Sequence, residues 1–280
     1  YSMSIITFWS NGKEETAKTL SIAAIATNIA MERNFKILIV PTNYNDDTLE
    51  LCFWEKEEER RGLNIFNGVK NDLTAGIEGL ARAITSNKAT PEIIKNYTKI
   101  VFRDRLEILP SIRTESYQEY EKIRTIYKEI IQTANKYYDL VIVDLNKGLD
   151  NNIATEILEC SDLIVVSITQ RLKIINAYME LKKENPIFAQ NNIMTLIGRY
   201  DRFSKYSGKN VARYLGEKKE PLLIPYCTLF FESCNEGKIA DFFLRFRKIS
   251  DTDRNAIFIN EVKKTSEKII YKLQELQMRR

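Results

Sequence analysis

Residues 5–19 read IITFWSNGKEETAKT, and this stretch decides which fold we expect for the chain. Its apolar start predicts a buried strand, the polar residues that follow predict a short loop, and a helix is expected from about Ala17 to Ala30. A loop that leads from the end of a first strand into a first helix is a place where α/β proteins bind phosphate groups.

The loop carries most of a phosphate-binding pattern. Gly12, Ala17, Lys18 and Thr19 fit the pattern G-x-x-x-x-G-K-[ST], with alanine in place of the second glycine. In such a loop backbone N–H groups surround the phosphate chain, the lysine reaches the β- and γ-phosphates, and the threonine hydroxyl ligates Mg²⁺. The alternative is an ordinary polar turn in which the Lys-Thr pair is incidental.

A later apolar strand ends on an acidic residue. Residues 138–144 read YDLVIVD, so Asp144 closes the apolar run. An aspartate at this end of a strand, next to a phosphate loop, holds Mg²⁺ through its water shell. The alternative is an aspartate that only caps the following turn. The presence of the upstream loop favours the metal site.

The rest of the chain has the composition of a globular protein. Of its 280 residues, 44% are hydrophobic and 29% are charged, which is enough for a sizeable core. Strand and helix patterns alternate, so we expect an α/β fold with a mostly parallel, doubly wound sheet and helices on both faces. Because no Pro-, Gly- or Ser-rich linker and no repeat divides it, residues 1–280 are expected to form a single domain, with Met3 as the natural start.

The composition disfavours several classes of function. The chain has no histidine, which excludes histidine bases, histidine-activated nucleophiles and histidine metal sites. Its four cysteines lack metal-ligand or disulfide spacing and are expected to be reduced, as in a cytoplasmic protein. The net charge of +4 is too small to diagnose nucleic-acid binding. The basic residues within 199–213 and 245–248 are expected on a solvated face, with a DNA- or lipid-facing patch as the alternative.

Lys13 lies five residues before Lys18, and with this lysine the loop resembles the deviant phosphate loop K-G-G-x-G-K-[ST] of ParA/MinD-type ATPases, which are SIMIBI-like P-loop NTPases. The resemblance implies ATP and Mg²⁺ as cofactors and a homodimer in which Lys13 crosses to the partner's nucleotide. It implies Lys13 and Lys18 as catalytic residues, and Thr19 and Asp144 as metal ligands. The loop residues that it implies for nucleotide binding are Gly12, Lys13, Glu14, Glu15, Thr16, Ala17, Lys18 and Thr19.

Further segments resemble this family in the same order, from residue 4 to about residue 246. They are LEILPS (106–111), YDLVIVD (138–144), DLIVVS (162–167), LLIPY (222–226) and ESCNEGKIAD (232–241). In the family the backbone of the last core strand lies along the base, which implies a binding role for Pro225. An asparagine that reads adenine usually stands where this chain has Gly198, so this position does not secure base specificity. The atypical loop is similar to that of TadZ-like members, which serve pilus or secretion assembly.

The chain departs from the family's pattern at positions that bear on turnover. Glu14, Glu15 and Ala17 replace glycines, and neither residue type adopts positive φ or allows close approach of a ligand as freely as glycine does. The two carboxylates repel a triphosphate unless they turn to solvent. Pro41 and Asn43 stand where the family has a D-x-D pair. We therefore expect nucleotide binding with weak or absent hydrolysis.

The last stretch, residues 260–280, predicts a helix with apolar residues on one side and lysines on the other. We expect this helix to pack against the sheet. The alternative, which follows from the similarity to MinD proteins, is contact with a membrane surface.

The sequence thus predicts a cytoplasmic ParA/MinD-like ATP-binding switch that dimerises around nucleotide to position or assemble cargo, in DNA partition or in pilus or secretion assembly. A cargo or assembly protein is the expected partner, and DNA or a membrane surface, with a polar or membrane-associated location, is a further candidate. The alternative is a pseudo-ATPase scaffold that keeps the fold and dimer surface without nucleotide cycling. The bacterial tyrosine-kinase branch is disfavoured, because no tyrosine follows Tyr271.

Overall fold

The structure is a computed structural model that describes residues 3–11, 15–55, 77–86, 90–112, 114, 116–145 and 151–279. Within these ranges the strands are β1 (Ser4–Trp9), β2 (Ile37–Pro41), β3 (Lys99–Phe102), β4 (Leu106–Ile108), β5 (Leu140–Asp144), β6 (Leu163–Ile168), β7 (Ile193–Tyr200) and β8 (Leu222–Pro225). They form one sheet in the order β3-β4-β2-β5-β1-β6-β7-β8.

Every pair of neighbouring strands in this sheet is parallel except β3 and β4. The strand order runs outward from β1 in both directions, as in a doubly wound fold. The predicted mostly parallel α/β sheet is therefore confirmed. The sequence did not predict β3, because this edge strand is short and exposed at Lys99 and Ile100, so it lacks the continuous apolar run of a buried strand.

Helices connect the strands and cover both faces. They are α1 (Lys18–Glu32), α2 (Thr48–Leu51), α3 (Ile77–Thr85), α4 (Tyr117–Arg124), α5 (Tyr127–Ala134), α6 (Asn151–Glu159), α7 (Leu172–Glu184), α8 (Gly208–Leu215), α9 (Thr228–Asn235), α10 (Ile239–Arg245) and α11 (Ala256–Gln277), with 3₁₀ turns at Pro91–Tyr97 and Pro186–Ala189.

Two apolar cores lie on opposite faces of the sheet, because alternate residues of each strand point to opposite sides. In β5, Leu140 and Ile142 belong to the core formed with α1, α9, α10 and α11. Their neighbours Val141 and Val143 belong to the core formed with α3 to α8. The expectation of helices on both faces is met, and the burial of each strand on both sides explains the continuous apolar runs in the sequence.

Helix α1 is buried on all sides along most of its length. Its residues Ser21 to Ala30 are all buried, because α1 is enclosed by the sheet, α10 and α11. Such burial fixes the position of the amino end of α1, which carries the predicted phosphate loop.

The carboxy-terminal helix begins earlier than expected, at Ala256 rather than at residue 260, and ends at Gln277. Its apolar face packs against α1 and β8, and Val262, Ile269 and Leu273 are buried there. The expectation of packing against the sheet is met, and this face is occupied within the fold. In the described ranges, no helix combines the length and the apolar character that crossing a membrane requires.

One predicted helix is divided in two. Apolar residues recur at helical spacing from Ser116 to Tyr137, but α4 ends before Thr125 and α5 begins at Tyr127. Ile126 has φ −109° and ψ 9°, and its N–H bonds to the Ile123 carbonyl, three residues back, at 3.1 Å. Two consecutive β-branched residues lower the helix propensity at this point. Both short helices bury their apolar residues in the same core.

Candidate functional site

The predicted loop and the predicted acidic strand end meet at the carboxyl edge of the sheet. Strands β1 and β5 are parallel neighbours, and Phe8 of β1 lies in register with Asp144 of β5. The Leu145 N–H donates to the Phe8 carbonyl at 3.0 Å, which holds the two strand ends together. Because β1 leads into the loop before α1, Asp144 is brought beside the first turn of that helix.

Lys18, Thr19 and Asp144 form a compact cluster there. The Lys18 Nζ lies 2.8 Å from Asp144 Oδ1, and the Thr19 hydroxyl donates to Asp144 Oδ2 at 2.7 Å. Lys18 Nζ also donates to the Leu145 carbonyl. The Asp144 side chain is fully buried and that of Lys18 is 11% exposed. The structure thus unites three residues that the sequence assigned to phosphate and Mg²⁺ binding, and here they compensate one another's charge and polarity.

Ala17 stands where the phosphate-loop pattern has glycine, and its backbone is left-handed, with φ 54° and ψ 30°. An L-residue in this region costs about 1–2 kcal/mol relative to the right-handed region, whereas glycine is free of this penalty. Ala17 is also the residue before α1, and it offers no side-chain acceptor to the first-turn N–H groups. A strained backbone and uncapped amides are the features expected where a helix receives an anion.

A cavity of about 580 Å³ opens over this cluster, within the range of roughly 300–1,000 Å³ that small-molecule sites occupy. The predicted residues Glu15, Thr16, Ala17, Lys18 and Thr19 line it on the loop side. The opposite walls come from α2, α9 and the segments beside them, through Asn43, Asp46, Thr48, Leu51, Cys52, Phe231, Cys234 and Asn235.

Two polar residues after β2 face this cavity. Asn43 stands at a position where the resembled family has an aspartate, and its side-chain amide donates to Asp46 Oδ2 at 3.1 Å. Asp46 Oδ1 accepts the Thr48 backbone N–H at 2.9 Å, so this carboxylate also supports the start of α2. Asp46 is therefore an acidic side chain in direct contact with Asn43 at the cavity wall.

Gly198 of β7 makes the closest backbone approach to the loop. A Cβ placed on Gly198 would lie 2.0 Å from the Thr16 carbonyl oxygen and 3.5 Å from the Ala17 Cβ. No side chain fits there unless the loop moves. The glycine in this position is explained by that contact, which sequence reasoning missed. A glycine inside an apolar strand pattern was the available signal, because it often marks close approach of another backbone.

Not all predicted residues line this cavity. Pro225 lines a neighbouring cavity of about 920 Å³, together with Tyr200, Phe203 and Tyr226. Gly12, Lys13 and Glu14 lie outside the described residues. The binding roles predicted for these four residues, like those predicted for Lys18, Thr19, Asp144 and the other loop residues, stay predictions.

The residues present fit a nucleotide with Mg²⁺. A lysine, a threonine hydroxyl and a carboxylate converge at a helix amino end, which is the donor set of a phosphate loop. The Glu15 side chain is 81% exposed and lies 3.3 Å from the Arg199 guanidinium, so water and this cation offset its charge. In the described part of the chain, no three His, Cys, Asp or Glu side chains come together as a metal site. Mg²⁺ suits this arrangement, because it is held by one or two protein oxygens, water and substrate phosphates.

The far wall of the cavity carries two thiols. Cys52 and Cys234 are both buried, and the hydrogen bond with the Cys52 thiol, followed by burial, raises the pKa of Cys234 far above its usual value. The Cys234 thiol is therefore neutral at neutral pH, and it forms part of the cavity wall beside Cys52.

Solved structures of ParA and MinD proteins have the same fold. The ParA family ATPase from Chlorobium tepidum TLS superposes with a TM-score of 0.67 at 17% identity, covering 97% of this chain and 99% of that chain. The septum site-determining protein MinD from Pyrococcus horikoshii OT3, complexed with Mg-ADP, superposes with a TM-score of 0.64 at 17% identity, covering 95% of this chain and 97% of that chain. The MinC:MinD cell division protein complex of Aquifex aeolicus superposes with a TM-score of 0.61 at 18% identity, with 96% of each chain covered.

No protein-family model matches the sequence, and no curated protein matches it. The comparison therefore rests on structure. At 17–18% identity, similarity over nearly the whole length of both chains establishes the architecture of the molecule. The chain has the fold of the ParA- and MinD-type ATPases, as the resemblance in its sequence predicts.

Proposed function

We propose that the chain is a ParA/MinD-like ATP-binding switch, in which Lys18, Thr19 and Asp144 hold a nucleotide with Mg²⁺. The observation that carries this proposal is the convergence of these three side chains at the amino end of α1, beside a cavity of about 580 Å³. Lys18 is assigned to the β- and γ-phosphates, and the Thr19 hydroxyl and the Asp144 carboxylate to the metal and its water shell.

The chain's own groups perform the binding in this scheme. The first-turn N–H groups of α1 donate to phosphate oxygens, and Lys18 adds a positive charge. Bound Mg²⁺ supplies neutralisation of phosphate charge, which a lysine alone does not complete. Lys18 and Thr19 each exchange a bond to Asp144 for a bond to the ligand. The fully buried carboxylate stays in place, because β5 fixes it between two neighbouring strands.

Slow turnover belongs to the same proposal. Asn43 cannot accept a proton or hold a metal water as an aspartate does, and Asp46 is already engaged by the Asn43 amide and the Thr48 N–H. The strained backbone at Ala17 is also expected to slow hydrolysis, because catalysis of phosphoryl transfer depends on groups that are positioned in advance. A switch that binds ATP tightly and hydrolyses it slowly fits these residues.

The proposal includes self-association and a protein partner. Lys13 is assigned to the nucleotide of a second copy, so that ATP links two subunits, and the MinC:MinD complex of Aquifex aeolicus supports a protein partner by analogy of fold. Pilus or secretion assembly, as for TadZ-like proteins, and DNA partition are the proposed settings, in the cytoplasm. A membrane surface is less favoured, because the apolar face of α11 is occupied by α1 and β8.

A pseudo-ATPase scaffold is the second candidate, and one observation favours it. Lys18 and Asp144 already form an ion pair at 2.8 Å, the Thr19 hydroxyl donates to the same carboxylate, and Asp144 is completely buried. A cluster that is neutral and hydrogen-bonded without ligand can serve as a structural part of the core.

Titration calorimetry with ATP, with and without Mg²⁺, tests the proposal. We expect saturable binding that Mg²⁺ strengthens, and a loss of about 2–4 kcal/mol, roughly 30- to 1,000-fold, in Lys18→Met. The matched control is Lys209→Met, which removes an exposed lysine. If neither ATP nor Mg-ATP gives a heat of binding, or if wild type and Lys18→Met bind with equal affinity, nucleotide binding at this site is refuted. The scaffold is then the remaining candidate.

The mass of the protein in solution separates switch from scaffold. Sedimentation equilibrium is measured with and without Mg-ATP for wild type and Lys13→Ala. A switch dimerises more tightly with ATP in the wild type and loses this response in Lys13→Ala, because a ligand shared by two subunits stabilises the dimer. Dimers of equal strength in all four conditions favour the scaffold.

A further inference from the structure

We infer that Arg199 is a second cation of the nucleotide site, which a bulge in β7 aims into the cavity and which Glu15 holds while no phosphate is bound. This inference rests on the proposed function and extends it. It names the phosphate groups of the nucleotide as the ligand of a residue that the phosphate-loop pattern does not contain.

The backbone at Arg199 is distorted in two ways. The register between β7 and β8 shifts between Gly198 and Tyr200, so Arg199 is the extra residue of a bulge. Its φ is 51°, in the left-handed region that an arginine adopts only at a cost. Bulges beside functional sites re-aim side chains, and strain of this kind persists only when the surrounding structure enforces it.

The surrounding structure does enforce it, through Gly198. The backbone of this glycine is pressed against the Thr16 carbonyl, where a Cβ would come within 2.0 Å. The end of β7 and the loop before α1 are therefore in direct backbone contact. Because Arg199 follows Gly198 directly, its backbone lies at the edge of this loop. The fold therefore places Arg199 beside the candidate phosphate site.

The side chain of Arg199 then completes the geometry. It lines the same cavity as Lys18 and Thr19, and its Nη2 lies 3.3 Å from Glu15 Oε2. The arginine side chain is 45% exposed and that of Glu15 is 81% exposed, so water screens this ion pair. A phosphate chain offers more charge and a matching pair of oxygens to a guanidinium, and it can displace a solvated carboxylate.

The charges that line the cavity indicate a role for Arg199. Among the described residues that line it, the cations are Lys18 and Arg199, and Lys18 is already paired with the buried Asp144. Glu15 and Asp46 add negative charge on the same walls. A second cation offsets these carboxylates when a polyphosphate enters. Glu15 then acts as a competitor for Arg199, because it must release the guanidinium before phosphate can take it.

The test compares ATP and pyrophosphate binding by titration calorimetry in wild type, Arg199→Gln, Arg199→Lys, Glu15→Gln and Arg213→Gln. Arg213 is the matched control, because this arginine is exposed on α8 and lines neither cavity. We expect Arg199→Gln to weaken both ligands at least tenfold, Arg199→Lys to restore part of the loss, and Arg213→Gln to change neither. Glu15→Gln should tighten ATP several-fold, and less so in the Arg199→Gln background.

The outcomes separate this inference from the function on which it rests. If the wild type binds neither ATP nor pyrophosphate, the proposed function fails and the role of Arg199 fails with it. If the wild type binds and Arg199→Gln binds equally well, only the role of Arg199 is refuted. A loss for ATP with unchanged pyrophosphate affinity also overturns the inference, because the arginine would then contact the nucleoside. Circular dichroism confirms that each variant is folded, and the lysine variant retains a charge if the glutamine variant unfolds.

Discussion

Replacing Lys18 by methionine should destabilise the protein even without any nucleotide. Lys18 Nζ is 2.8 Å from Asp144 Oδ1, and the carboxylate is fully buried. Methionine keeps the length of the side chain but removes the charge, so the substitution leaves a buried carboxylate whose remaining side-chain partner is the Thr19 hydroxyl at 2.7 Å. Removing one partner of a buried pair costs about 3–5 kcal/mol. The retained hydrogen bond places our expectation near the lower end, at about 3 kcal/mol.

Urea unfolding followed by circular dichroism measures this loss of stability. The set is wild type, Lys18→Met, Asp144→Asn, the double variant and the exposed control Lys209→Met. We expect the double variant to be more stable than Lys18→Met, with a coupling of about 1–3 kcal/mol, because no buried charge remains. A deficit below about 1 kcal/mol for Lys18→Met at neutral pH, or a double variant no more stable than Lys18→Met, would refute the reasoning.

Three further predictions test separate features of the site. Steady-state ATP turnover should stay below about 1 s⁻¹ in a phosphate-release assay, because Asn43 replaces the family's aspartate and Asp46 is engaged elsewhere; faster turnover would show that other groups compensate. Ala17→Gly should raise the free energy of unfolding by about 0.5–1 kcal/mol through relief of the left-handed strain, whereas the control Ala83→Gly, inside a helix, should lower it by about 1 kcal/mol. Equal signs for the two glycine variants would contradict the strain. Burial raises the pKa of the Cys160 thiol to about 11. Its alkylation by iodoacetamide at pH ~8, followed by peptide mass mapping, should therefore be about a hundredfold slower than that of a free cysteine, and it should accelerate up to pH ~10. An alkylation rate independent of pH would contradict the raised pKa.

The strands could be predicted wherever both of their faces are buried. Continuous apolar runs identify β1, β2, β5, β6 and β8, because a strand between two layers of helices has no polar face. The same rule fails for the edge strand β3, which is exposed at two of its four residues. It also cannot locate the interruption at Ile126, because the apolar spacing continues through the break and both halves contribute to the same core.

The core of the candidate site could be predicted for a related reason. Lys18 and Thr19 follow the first strand and Asp144 ends the fifth, and the carboxyl ends of parallel strands lie at one edge of a sheet. Their convergence needs only the strand order. The contact between Gly198 and the Thr16 carbonyl depends instead on how closely the end of β7 approaches the loop. The register of β7 shifts beside this contact, at Arg199, and the local sequence carries little information about such a shift.

The backbone of Ala17 and the close contact made by Gly198 together explain why the loop tolerates alanine where the pattern has glycine. In the phosphate-loop pattern, glycine serves backbone freedom within the loop and close approach by a ligand or another backbone. Here Ala17 keeps the left-handed conformation at the expense of strain, with φ 54°, and the close approach is made from the other side, by Gly198 against the Thr16 carbonyl. The requirement for glycine has thus moved from the loop to the strand that supports it. Restoring glycine in the loop without changing Gly198 should therefore leave the contact intact, whereas an asparagine at 198, which the family usually has, would collide with the Thr16 carbonyl and displace the loop.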